Sequence, residues 1–181
     1  MKITLKIFDL NIVFWAFRKE TVPRGVSSRI PESLSHCLYL DYDNIHLEVL
    51  EDEVKMLIEV CELGDCHIIE TSENNYHVES HDYYGFDEVL WIQGLSSCDA
   101  HYRRGPTLNM TRGWIHRRSE KGSKAPPKYI KTLPSSFSGK RMQSSWHYRT
   151  FVQDFGDVID PLITPDEGDA GWEERYETLK R

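Results

Sequence analysis

Asp41 and Asp43 stand one residue apart in the segment Leu38-Tyr39-Leu40-Asp41-Tyr42-Asp43-Asn44. The apolar lead-in reads as a short strand. Side chains alternate faces along a strand, so both carboxylates point the same way. Like charges on one face repel, and a sheet ordinarily avoids them. A divalent cation removes the repulsion, and Mg²⁺ characteristically binds through one or two carboxylates plus substrate phosphates. The pair is therefore a candidate metal site. The competing reading is a strand that runs into a polar turn, with Asp43-Asn44 capping the next helix.

The rest of the chain has to position that pair. Its 181 residues are 39% hydrophobic and 28% charged, which fits one folded domain rather than a disordered polymer. No apolar run approaches the roughly 18 residues of a membrane span. The opening 1–17 is broken by Lys2, Lys6, Asp9 and Asn11 and lacks a signal-peptide core, so the expected compartment is a cytoplasm, or a host cytoplasm. Cys37, Cys61, Cys66 and Cys98 lack the two close pairs of a structural zinc site and read as plain buried thiols.

Charge is segregated. Between positions 41 and 99 Lys55 is the lone lysine or arginine, whereas between 101 and 149 Glu120 is the lone acid. The net charge of −7 hides this contrast. The basic third suits a polyanion beside an acidic site, or a solvated loop that balances the acidic parts.

Residues 3–8 and 11–17 read as a strand pair, and 18–35 as loop. Asn44 is placed to cap a helix over 47–63, with Leu47, Leu50, Val54, Leu57, Ile58 and Cys61 on one stripe and Gly64 as the stop. Strands at 66–71 and 76–80 flank the turn Ser72-Glu73-Asn74-Asn75. A second helix spans 86–95, and 114–118 is a short strand. Trp91 and Trp114 read as core. From Asp41 onward the order is βαββαβ, so the expected class is α+β with a ferredoxin-like or RNA-recognition-type sheet. Helices would cover one face and leave the other to the carboxylates. The expected organisation of the single domain 1–181 is N-terminal strands and loop over 1–36, a motif-bearing core over 37–122, a mobile basic loop over 123–149 and an acidic tail over 150–181, of which 151–163 is able to pack back.

Three patches recur in order: the Asp41/Asp43 strand end, the strand Asn75-Tyr76-His77-Val78, and Cys98-Asp99 followed by Arg117, Arg118 and Lys121. Over residues 38–122 this resembles the archaeo-eukaryotic primase superfamily, which includes viral and plasmid primase–polymerases. The resemblance implies a two-metal Mg²⁺ or Mn²⁺ site held by Asp41, Asp43 and Asp99. It implies nucleotide contacts from His77, Arg117, Arg118 and Lys121, with Arg112 competing for the role of Arg117. Asn75 stands where the family has serine, and its amide can still donate. Glu79, Asp82 and Asp87 are alternative third carboxylates. Arg103, Arg104, Arg112, Lys124 and Lys128, with Tyr129, Trp146 and Tyr148 interleaved, suit a single-stranded DNA or RNA template. The implied activity is nucleotidyl transfer from nucleoside triphosphates, with an accessory subunit or helicase as a further partner. The alternatives are a non-catalytic single-strand-binding replication protein and a metal-dependent nuclease.

Overall fold

The computed structural model describes residues 2–7, 10–15, 24–105 and 113–156, the first two segments as backbone alone. Arg112 and the tail after 156 lie outside the described residues. The chain is α+β. Its elements are β1 (Lys2–Ile7), β2 (Leu10–Trp15), β3 (Gly25–Ser27), β4 (His36–Tyr42), α1 (Leu47–Cys61), β5 (Cys66–Ser72), β6 (Asn75–Tyr84), α2 (Phe86–Leu95), α3 (Ala100–Arg104), β7 (Ile115–Arg117), β8 (Lys128–Leu133) and α4 (Ser145–Phe155). β1 and β2 form an antiparallel ribbon of their own, as the alternation of the first residues implies.

The central sheet is antiparallel, in the order β4-β6-β5-β8. Register makes its two faces distinct. Leu40, Val78 and Ile68 are cross-strand neighbours, and so are Asp41, His77 and Ile69. The apolar row meets α1, whose Leu50, Val54, Leu57, Ile58 and Cys61 are buried at helical spacing. Val89 and Ile92 of α2 join this core, and the Gln93 side chain donates to the Tyr39 carbonyl at 2.9 Å, fastening α2 to β4. All four cysteines are buried and free.

The opposite face differs from the expectation of helices on one side only. α4 lies there, with Phe151 stacked on His67 at 4.4 Å and Phe155 buried beside it. The β3–β7 ribbon crosses the rest, because His116 of β7 stacks on Tyr39 of β4. The expected fourth strand at 114–118 pairs with β3 instead of extending the sheet. Its polar residues explain this: His116 and Arg118 both reach Glu79 on β6.

Within the expected basic loop, 128–133 is β8, on the β5 edge of the sheet. Prolines 126, 127 and 134 bound this strand rather than exclude it. Asn44 does not cap α1: the N-cap is His46, without a side-chain bond. Asn44 itself is left-handed, at φ 55°. The helix stops at Glu62, also left-handed, two residues before Gly64. Gly64 serves another purpose, since a Cβ there would lie 2.2 Å from Asp82 Oδ2. Trp114 is core, but Trp91 is 55% exposed, on the α2 face away from Val89 and Ile92.

The second face is dense in buried imidazoles. Burial pushes His67 and His77 well below the ordinary histidine value, lowers His116, and brings His147 down to about 4. A histidine held neutral in the fold binds fewer protons than it does unfolded. The stability it contributes is therefore present above about pH 6.5 and lost as pH falls toward its folded value. At pH 5 the loss is about 2 kcal/mol for His147, and His67 and His77, shifted the same way by burial, add to it. Asp41 and Asp82, pushed up to about 6 mainly by burial, offset part of it over the same window. The expected result is a urea midpoint that drops clearly between pH 7 and pH 5. A midpoint constant over that range would contradict the neutral cluster.

Candidate active site

The sheet, the β3–β7 ribbon and the turn after β7 enclose a cleft of about 310 Å³. Asp41, at the end of β4, and Asp43, one residue beyond it, form its acidic side. His77, Asp41's cross-strand partner, stands beside them, its Nε2 3.6 Å from Asp41 Oδ1. Arg24, Arg117, Lys121 and Lys124 supply cations, Arg24 also pairing with Asp154, and Gly25, Thr71, Tyr102 and Ile115 complete the wall. The strand-end pair thus shares one concavity with His77, Arg117 and Lys121.

Among the described residues Asp41 forms no ion pair with a lysine or arginine, and its one close basic neighbour is His77. Burial first, then Asp43, then Asp99 push its carboxyl up to about 6, with Lys124 opposing. This is the electrostatic state expected of neighbouring carboxylates that lack a counter-ion. Divalent binding must compete with the proton, so affinity should rise as pH increases through 6. Carboxyl NMR should give a midpoint near 6 for Asp41 and a lower one in Asp43→Asn. A midpoint near 4 in the unaltered chain would remove the argument.

Asp99 adjoins the pair without lining the cleft. Its N–H donates to the Asp41 carbonyl at 2.7 Å, and its Oδ2 accepts the Tyr102 N–H at 2.7 Å, capping α3. Glu79 is fully buried and paired with Arg118. Asp82 packs against Gly64, and Asp87 lies in the first turn of α2. Of the four candidate third carboxylates, Asp99 is the one that acts on Asp41. Among the described residues no three histidine, cysteine or carboxylate side chains are grouped closely enough to hold a metal ion. The donor set of Asp41 and Asp43 fits a hard cation that keeps waters and takes phosphate oxygens, not a cage made wholly of protein ligands.

The cations divide sharply. Arg117 reaches the cleft while its guanidinium donates to the carbonyls of Ser119, Ala125 and Thr71 at 2.6, 2.8 and 2.9 Å. These neutral acceptors orient the group without cancelling its charge. Lys121 and Lys124 face each other across a tight turn, N–H to carbonyl at 3.2 and 3.0 Å, which Gly122 permits at φ 62°. Arg118, expected to contact nucleotide, is buried instead. It pairs with Glu79 at 2.6 Å and Asp154 at 3.4 Å, so its role is structural.

Asn75 is likewise a turn residue. Its amide donates to Ser72 Oγ and the Glu73 carbonyl, and its Oδ1 accepts the Asn44 N–H. Arg103 donates to the Gln93 carbonyl at the end of α2, and Arg104 ends α3. Lys128 opens β8 opposite Glu70. None of these three basic residues lines the cleft. Arg24 escaped sequence reading because it sits in an irregular segment. Tyr102 has a visible signal, an aromatic three residues after Asp99 in a basic stretch.

No family model, curated protein or solved structure matches the chain.

Proposed function

We propose that the chain is a Mg²⁺- or Mn²⁺-dependent nucleotidyltransferase of primase–polymerase type. The reading rests on one observation: a carboxylate pair shares a single cleft with four cations and a histidine. Phosphoryl transfer is mostly positioning and charge neutralisation, and this arrangement separates the two tasks. Asp41 and Asp43 would hold the divalent ion, which supplies Lewis-acid stabilisation of charge at the reacting phosphate. Arg117, Lys121 and Lys124 would bind the triphosphate oxygens, and His77 would contact them from beside the carboxylates. The order β4-β6-β5 agrees with three strands of a ferredoxin-like sheet, which supports the fold reading, although the fourth strand departs from it. Nucleoside triphosphates and a single-stranded template are the proposed partners.

The direct test is incubation of the full chain with Mn²⁺ or Mg²⁺, labelled nucleoside triphosphates and a single-stranded template, with and without primer. Incorporation that disappears on chelation is the expected result. Salt-sensitive strand binding with no incorporation would identify a binding module instead. Strand cleavage without triphosphate would identify a nuclease.

A further inference from the structure

His77 and Glu79 are two apart on β6, and His116 and Arg118 stand around the end of β7 with the same spacing. Spacing of two puts each pair on one face of its strand. Among the described residues His77 has no strong hydrogen bond to orient it: Nδ1 is buried without a partner, and Nε2 stands 3.6 Å from Asp41 Oδ1. Its orientation must come from packing. The ring lies flat on His116, with centroids 3.9 Å apart and planes 8° from parallel. Tyr39 covers the other side of His116 at 4.3 Å and 7°. His116 in turn has no freedom to rotate, because its Nδ1 is 2.7 Å from Glu79 Oε1. An ionised carboxylate only accepts, so the proton is on His116 Nδ1. Glu79 is itself fixed through its other oxygen, which accepts from Arg118 at 2.6 Å and from His81 at 3.1 Å.

We infer that His116, locked by Glu79, is a positioning residue for His77, holding that imidazole flat with Nε2 toward Asp41. The geometric claim stands alone. Its kinetic consequence rests on the nucleotidyl-transfer reading. His116 does not reach substrate. It sets the ring that does, and a misplacement of about 1 Å can cost roughly 10²-fold in rate.

The experiment compares His116→Ala, which removes the flat surface, with His116→Phe, which restores it without the hydrogen bond. His116→Leu fills the volume with no flat face and replaces the alanine variant should that one fail to fold. The first readout is the tautomer of His77, taken from its ring ¹⁵N shifts at pH 7.5 without metal. The unaltered protein should show one dominant tautomer, protonated at Nε2. His116→Phe should retain it, and His116→Ala or His116→Leu should show a mixture. Unchanged His77 tautomers in a folded alanine or leucine variant would overturn the inference. The second readout is kcat/KM for incorporation, corrected for folded fraction. It should fall about tenfold or more in His116→Ala, mostly in kcat, and recover in His116→Phe. Equal kcat/KM in an active, folded His116→Ala would also overturn it. Where the unaltered protein shows no incorporation the functional reading fails, and the tautomer result still decides the positioning claim.

Discussion

Replacing Asp41 and Asp43 together by asparagine should reduce nucleotide incorporation by about 10³-fold or more while leaving the fold intact. The pair supplies the anionic oxygens of the cleft, and asparagine keeps the shape while removing the charge. Stability should be unchanged or higher, because Asp41 is ionised against burial and the like charges of Asp43 and Asp99. That combination is diagnostic. A residue needed only for folding loses activity and stability together, whereas a binding carboxylate loses activity alone. The single variants should rank with Asp41→Asn the more severe, since Asp41 is the carboxylate beside His77. Retained incorporation in the double variant, in a protein that melts normally, would end the nucleotidyltransferase proposal.

Arg117 and Arg118 show where sequence reading stops. Adjacent residues on a strand face opposite ways, so one of them had to turn from the cleft. Pattern alone does not say which, because the answer depends on Glu79, thirty-nine residues before Arg118. Glu79 illustrates the same gap. As a carboxylate near His77 it was a fair candidate ligand, yet its oxygens are committed to His116, His81 and Arg118. Local features were legible: the periodicity of α1, the span of α2, the hairpin at 72–75 and the two carboxylates at the end of β4. Strand pairing was not, because β7 and β8 are short and flanked by turn-formers. Their partners are chosen by polar contacts and sheet-edge geometry that leave no local period. Asn75 shows a related limit. A side-chain amide suits both a phosphate and a tight turn, and here the turn at Asn74, with φ 58°, takes it.

Glu79→Ala should destabilise the chain by about 3–5 kcal/mol, the usual result of removing one partner from a buried ion pair. Burial alone would raise the Glu79 carboxyl, but Arg118 and the hydrogen bonds from His116 and His81 hold it well below the ordinary value. The alanine variant leaves the Arg118 side chain, 1% exposed, with only Asp154 at 3.4 Å. It also strips His116 and His81 of their acceptor. For a domain of this size, the melting temperature should fall by roughly 6–20 °C. Glu79→Gln should cost less, because the amide oxygen still accepts from a neighbour. The decisive comparison is Glu79→Leu with Arg118→Met. Removing both charges at similar volume should recover most of the stability lost in Glu79→Ala, because the penalty is that of an uncompensated guanidinium rather than of missing attraction. A Glu79→Ala protein that melts within about 2 °C of the unaltered chain would mean that Asp154 alone neutralises Arg118, and the network would then be an adornment of the fold rather than its support.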